Sequence, residues 1–352
     1  MKSLHLVTSD ARRGAESFAV DLVNAMRAAD EDATILALHT SGSEQALPIP
    51  ALGTSRRSWQ GLRALRQTAK DMDVVVAHGS STLEACAVAL AGSPTPFVYR
   101  SIGELGYWAD SPSRHRAIRL MLGRAARVVT LWPDAARDLV RAFGVPSDRV
   151  DVIPNAVDPA RFEVPGNEER AAARLSLGLD PKAPVIAFVG ALSPEKNIAC
   201  VLRALPFLDD VVLLIAGDGP DRSGLEELAA ANAPGRVHFL GAVNHPREVL
   251  VASDLLILPS LSEGMPAVVI EAAMLGIASL VTPVGALPDM VEDGVNGFLI
   301  DSAEPAALAT CIITSLGGAS AVGQRAAETF RGRYGIEQVA PQWLRSLERA
   351  QR

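Results

Sequence analysis

Two acidic side chains at a fixed spacing open the chemical reading of this sequence. Ser262-Glu263-Gly264-Met265-Pro266-Ala267-Val268-Val269-Ile270-Glu271 follows an apolar run, Leu255–Leu258, and the turn Pro259-Ser260. Gly264 allows close backbone approach and Pro266 suits a first helical turn, so a helix is predicted to start here. The unpaired amides of its first turn would offer hydrogen bonds to a phosphate or a sugar hydroxyl. Glu263 then stands just ahead of the helix. Glu271 lies eight residues later, just over two turns along. A carboxylate accepts from both hydroxyls of a ribose, which suits Glu271, and Glu263 is set to meet the hydroxyls of a donor sugar. An acid favoured by the helix dipole, followed by an exposed glutamate, would give the same pair without any ligand.

Other chemistry-bearing residues read less sharply. His78 ends an apolar strand and is followed by Gly79-Ser80-Ser81, so it is a candidate to meet ligand hydroxyls, with a packed core histidine an equal reading. Asp71-Met72-Asp73 has the look of a metal-binding pair but sits where a strand begins, so strand-entry capping is the expectation. No other carboxylate or histidine group has metal-ligand spacing, and no metal or other cofactor is expected. Gly217-Asp218-Gly219-Pro220 follows an apolar strand, but the next glycine, Gly224, does not complete a dinucleotide fingerprint.

Short apolar runs alternate with helical patterns along the whole chain. Strands are predicted at Leu4–Thr8, Ala33–Leu38, Val74–His78, Phe97–Arg100, Val128–Leu131 and Val150–Ile153. A second series is predicted at Val185–Val189, Val211–Ala216, Val237–Leu240, Leu255–Leu258, Ser279–Thr282 and Phe298–Ile300. Continuously apolar strands alternating with helices mean parallel sheets covered on both faces. The Pro- and Ala-rich stretch Asp158–Pro184 separates the two series. The expected organisation is residues 1–163 as a first domain, 164–334 as a second, and 335–352 as a terminal helix packing back on the first. Ligands of open α/β sheets bind beyond the carboxyl ends of the strands.

Composition limits the alternatives. Apolar residues make up 49% and charged residues 21% of 352, enough for large cores. The net charge of −7 argues against a nucleic-acid partner. Residues 1–163 hold 19 Lys+Arg against 18 Asp+Glu, and the remainder holds 14 against 22. The three cysteines, Cys86, Cys200 and Cys311, fit no disulfide framework and no zinc spacing. The N-terminus reads as a strand and not as a signal peptide, so the cytoplasm is the expected compartment. Arginines 114, 116, 119, 124 and 127 surround Ile118, Leu120, Met121 and Leu122. They form either a solvated helix face or a weak peripheral contact with anionic lipid on the inner face of the plasma membrane.

The segment Glu263–Gly276 resembles the hallmark of the family 4 retaining glycosyltransferases, a Glu, seven residues, then Glu. Asp151-Val152-Ile153-Pro154-Asn155-Ala156-Val157-Asp158 is similar to that family's interdomain signature. Phe188-Val189-Gly190-Ala191-Leu192-Ser193-Pro194-Glu195-Lys196-Asn197 is similar to its first C-domain loop. Ala216–Pro220 and Gly285–Asp289 also match, and Arg13-Gly14-Ala15-Glu16 is similar to its N-domain glycine loop. The resemblance implies the α/β GT-B fold, two doubly wound Rossmann-like domains facing across a cleft. It implies transfer of a sugar from a UDP- or GDP-sugar to a hydroxyl acceptor with retention, in cell-surface polysaccharide or glycolipid synthesis. The acceptor would be a glycan, a lipid-linked or a small molecule. Lys196 would bind the diphosphate and stabilise charge on the leaving oxygen. Donor contacts would come from Gly14, Gly190, Lys196, Glu263, Gly264, Met265, Pro266 and Glu271, with Lys196, Glu263 and His78 closest to the chemistry. Arg13, His78, Arg100, Ser101 and Glu104 are the acceptor-side candidates. The family commonly has an arginine where this chain has Ala191, and a histidine within the stretch occupied here by Val98–Glu104. Those two departures leave a non-catalytic sugar-nucleotide-binding or scaffold protein as the alternative.

Overall fold

The computed structural model describes residues 1–42, 46–103, 111–243 and 245–352. The chain divides into two compact units, Met1–Asp158 with Tyr334–Arg352, and Pro159–Arg333. The boundary expected after residue 163 lies at Asp158/Pro159.

The first unit is built on a seven-stranded parallel sheet. Its strands are β1 (Lys2–Ser9), β2 (Asp32–His39), β3 (Ala51–Gly53), β4 (Val74–His78), β5 (Phe97–Arg100), β6 (Arg127–Thr130) and β7 (Val150–Val152), in the spatial order β3-β2-β1-β4-β5-β6-β7. Helices α1 (Gly14–Ala28), α2 (Trp59–Ala69), α3 (Ser80–Ala89), α4 (Pro112–Leu122) and α5 (Pro133–Phe143) join them. Local chemistry starts and stops these helices. Ser58 and Ser111 accept from the amides of Gly61 and Arg114, and Gly144 ends α5 in the left-handed region. Strand period puts Leu4, Leu6, Val75, Ala77, Phe97 and Tyr99 on the face covered by α2 to α5. Val74, Val76 and Val98 point to the other face, covered by α1 and the chain's last helix.

The second unit holds a six-stranded parallel sheet. Its strands are β8 (Val185–Val189), β9 (Val212–Ala216), β10 (Val237–Gly241), β11 (Leu255–Leu258), β12 (Ala278–Val281) and β13 (Phe298–Leu299), in the order β10-β9-β8-β11-β12-β13. Its helices are α6 (Asn167–Ser176), α7 (Ile198–Ala204), α8 (Arg222–Asn232), α9 (Arg247–Ala252), α10 (Ala267–Met274), α11 (Leu287–Met290) and α12 (Pro305–Tyr334). By length and composition α12 could cross a bilayer. Here its Leu308, Ile312, Ala319, Val322, Ala326 and Phe330 form a buried stripe. The chain then returns to the first unit as α13 (Ile336–Ala350), where Val339, Trp343 and Leu347 pack against Phe18 and Leu22 of α1.

In each sheet the order of connection reverses at one point, between β1 and β4 in the first and between β8 and β11 in the second. Loops leaving neighbouring strands on opposite sides of that point splay apart, which leaves a crevice at the carboxyl edge.

Candidate active site

Lys196 and Glu263 sit on the two loops that flank the switch point of the second sheet. Lys196 closes a one-turn 3-10 segment, Pro194–Lys196, after β8. Asn197 follows in the left-handed region at φ 50° and leads into α7. Glu263 lies between β11 and α10. Lys196 Nζ donates to Glu263 Oε1 at 2.7 Å, and Ser260 Oγ donates to the same oxygen at 2.7 Å. Glu263 is 8% exposed and Ser260 0%. Polar oxygens this buried need hydrogen-bond partners, and here one of them has a cation and a hydroxyl.

Backbone contacts fix the surrounding loops. Leu261 N donates to Glu195 O at 2.7 Å, tying the β11 loop to the β8 loop, and Ala286 N donates to Gly264 O at 2.9 Å. Two glycines permit this crowding. A Cβ on Gly285 (φ 59°) would lie 2.0 Å from Glu263 O, and one on Gly217 (φ 149°) would lie 1.8 Å from Gly190 O. Pro266 is the N-cap of α10, so the helix begins one residue later than its sequence suggests. No side chain caps it. Met265 is buried, Gly264 and Pro266 are half-buried, and Glu271 is half-buried further along the helix. The structure therefore brings Lys196, Glu263, Gly264 and the start of α10 together. Ser260 joins them, a residue the sequence reading passed over. A hydroxyl three residues ahead of the glutamate was the available signal.

In the first unit Arg13 and Gly14 are exposed at the start of α1, and nothing lies within 4 Å of where a Gly14 Cβ would stand. Packing therefore does not require that glycine. Glu16, in the same turn, is buried, and burial raises its carboxyl above the usual range.

His78 needs correction. Its side chain is 2% exposed and lies on the α1/α13 face of the sheet. There it stacks on His5, with centroids 5.4 Å apart, and packs against Phe18 and Trp343. Its Nε2 is 3.1 Å from His5 Nδ1. Burial, followed by the nearby Arg100, pushes its pKa well below the ordinary value, and His5 falls to about 3. His78 therefore packs as a core histidine of the first unit. Arg100 needs the same correction. It is 1% exposed, lies 3.9 Å over the Phe18 ring and hydrogen-bonds Asn155 Oδ1. Burial lowers its pKa to about 9. Ser101 is also buried, its hydroxyl 3.3 Å from Gly103 O. Glu104 lies outside the described residues.

Asp73 accepts from the Lys2 amide at 2.7 Å, a strand-entry cap. Of the arginines between 114 and 127, Arg114, Arg116, Arg119 and Arg124 are exposed. Arg127 is not part of any lipid-facing set. It is buried and pairs with Asp151 at 2.6 Å.

Residues 12–161 match the family model described as Glycosyltransferase Family 4, and residues 183–317 match the model described as Glycosyl transferases group 1. The chain belongs to glycosyltransferase family 4. The chain is similar to the D-inositol 3-phosphate glycosyltransferase of Nocardia farcinica, 36% identical over 259 residues, 69% of this chain and 53% of that protein. It is also 35% identical to the Mycolicibacterium gilvum protein of the same description, over 68% of this chain and 52% of that one. The chain thus spans about half the length of these curated relatives. Among solved structures, Anabaena Alr3699/HepE in complex with UDP-glucose aligns with a TM-score of 0.88 at 23% identity, over 99% of both chains. WaaG, a glycosyltransferase involved in lipopolysaccharide biosynthesis, aligns at 0.72 and 15% identity, over 97% of this chain and 98% of its own. With the two sheet topologies, these likenesses establish the GT-B fold for this chain.

Proposed function

We propose that the protein transfers a sugar from a UDP-sugar to a hydroxyl acceptor, with retention at the anomeric carbon and without a metal ion. The observation that carries this reading is the Lys196–Glu263–Ser260 constellation at the switch point of the second sheet. A cation there answers the diphosphate, and a buried carboxylate answers sugar hydroxyls. When a donor arrives, Lys196 turns from Glu263 to the diphosphate and stabilises the charge that grows on the leaving oxygen. Glu263, with the backbone of Gly264–Pro266, holds the donor sugar. Glu271 holds the ribose. In the first unit the exposed Arg13-Gly14 loop is assigned to ligand contact. The UDP-glucose named with the HepE structure favours uridine among the possible bases. A cell-surface glycan or glycolipid, made at the cytoplasmic side, is the product class that this reading carries. Peripheral membrane contact is left to the exposed arginines 114 to 124.

The test is transfer itself. Purified protein is incubated with UDP-sugars in EDTA, with and without hydroxyl acceptors, and the anomeric configuration of the product is read by NMR. Loss of activity in EDTA, restored by Mn²⁺, overturns the metal-independent site. An inverted product overturns retention. Binding of UDP-sugar without transfer to any acceptor, and without hydrolysis, favours the non-catalytic binding protein instead. The departures at Ala191 and in Val98–Glu104 keep that second reading in view.

A further inference from the structure

The first unit has a second concave feature, at the amino ends of its strands and so at the opposite edge from Gly14 and Gly79. Phe97 opens β5, Arg127 opens β6 and Arg149 directly precedes β7. Together with the end of α13 they line a cavity of about 610 Å³. That volume falls inside the range of small-molecule sites, roughly 300–1,000 Å³. Four-residue strands place this edge about 13 Å from the carboxyl edge.

The charge around the cavity is lopsided. Arg124, Arg127, Arg149, Arg349 and Arg352 line it, against one lining acidic side chain, Asp148. Two of these arginines are anchored from behind by Asp151. It accepts from Arg127 at 2.6 and 2.9 Å, from Arg349 at 2.8 Å and from Ser346 at 2.7 Å. Asp151 is thereby spent on the wall. Arg124, Arg149 and Arg352 are exposed, and among the described residues none of them has a carboxylate within ion-pair distance. Several guanidinium groups around one space repel each other, and an anion held between them turns that repulsion into attraction. The planar forks of arginine match phosphoryl oxygens in pairs. Pro94 and Pro96 add an apolar margin.

We propose that this groove is a binding site for a phosphate-bearing anion, separate from the donor site. Arg124 and Arg149 grip the phosphoryl oxygens, and Arg127 and Arg349, braced on Asp151, form the back wall. A soluble phosphorylated metabolite and a phospholipid headgroup share this chemistry.

The experiment uses the full chain carrying Lys196→Ala, which weakens the donor diphosphate site. Inorganic pyrophosphate is titrated by calorimetry into that protein, into the same protein with Arg124→Glu and Arg149→Glu, and into a control with Arg63→Glu and Arg203→Glu, two exposed arginines outside the groove. The three proteins are also sedimented with vesicles of neutral phospholipid and with vesicles containing anionic phospholipid. Circular dichroism confirms that each is folded. The expected result is saturable pyrophosphate binding, weakened at least tenfold by the groove pair and unchanged by the control pair, which makes the occupant a soluble anion. Loss of anionic-vesicle binding in the groove pair alone supports the site with a headgroup as its occupant. If the groove and control pairs behave alike in both assays, or if the parent protein binds neither probe, the proposal is overturned.

Discussion

At the residue scale, the candidate site is a contest for one carboxylate oxygen. Lys196 and Ser260 both donate to Glu263 Oε1, and in the proposed reading donor binding redistributes those bonds. The proposed roles then separate by kinetics. Glu271 would meet a ribose that does not change during transfer, so Glu271→Ala should raise the donor KM more than it lowers kcat. Loss of a charged hydrogen-bond partner costs about 1.5–3 kcal/mol, roughly tenfold to a hundredfold in affinity. Lys196→Ala should instead lower kcat, by about 10²–10³, as loss of one oxyanion donor does. Glu263→Ala should impair UDP-sugar binding and spare UDP. Ser260→Ala removes a buried donor to that carboxylate and should follow Glu263→Ala in direction, about tenfold in sugar-nucleotide affinity. Titrations with UDP and UDP-sugar, and kinetics on the four variants, check this. Wild-type UDP affinity in Glu271→Ala would remove the nucleotide from α10.

At the scale of elements, close approach of loops makes the site, and glycine makes the close approach possible. Gly217→Ala would drive a methyl to 1.8 Å from Gly190 O at a φ of 149°. The loops after β8 and β9 must then part. A cost above about 1–3 kcal/mol is expected from the backbone conformation alone. Thermal denaturation should show the loss, and UDP affinity should fall with it. A Gly14→Ala protein, with nothing within 4 Å of the added methyl, should keep its stability. Much of this architecture was legible. Continuous apolar runs marked six strands in each sheet, and β4, β5, β8 and β11 have the predicted ends. The three-residue β3 was missed because Ala51-Leu52-Gly53 holds one large apolar side chain and ends on a glycine, so it forms no apolar run. Lys196 and Glu263 were readable from motif and order, but their ion pair was not, because it joins loops far apart in sequence. His78 misled for a related reason. Strand period places it with Val74 and Val76, on a face that looks open until α13 arrives from the far end of the chain and lays Trp343 over it. Trp343→Ala should cost about 3–5 kcal/mol in the first unit, seen as early loss of its thermal transition.

At the scale of the whole molecule, each unit has its own sheet and core, and the chain crosses from the first to the second and back again. Stability and ligand response should therefore divide along that line. The first unit carries the acid-sensitive element. His5, with its folded pKa near 3, and His78, also depressed, are held neutral by burial. Unfolded, each titrates near 6.5, so below that pH the unfolded chain binds protons that the folded one refuses. The stability contributed by the two neutral histidines is whole above about pH 6.5. It is lost as pH falls toward their folded values, at about 1.4 kcal/mol per pH unit for each histidine. The raised carboxyl of Glu16 acts in the opposite sense, so the wild-type curve is a sum. The difference between wild type and His5→Gln reports the His5 share and should shrink steadily from pH 7 to pH 5.

The nucleotide should act on the other unit. A ligand that binds only the folded state stabilises by mass action, about 2.7 kcal/mol at a hundredfold excess over its Kd. That gain falls first on the segments the ligand touches and on the cooperative unit containing them. If UDP sits against Lys196 and the start of α10, hydrogen exchange should slow in residues 190–197 and 259–275, and then across the six-stranded sheet from β8 to β13. Exchange in β1, β4 and β5 should change little, since the first unit keeps a core of its own. UDP-sugar should add protection at 260–266, where Glu263 would meet the sugar, and Glu263→Ala should remove that increment while leaving the UDP effect. The comparison is made by mass spectrometry at saturating ligand, on wild type and on that variant. Protection by UDP confined to the first unit would place the nucleotide in the wrong lobe and take the assignments of Lys196, Glu263 and Glu271 with it.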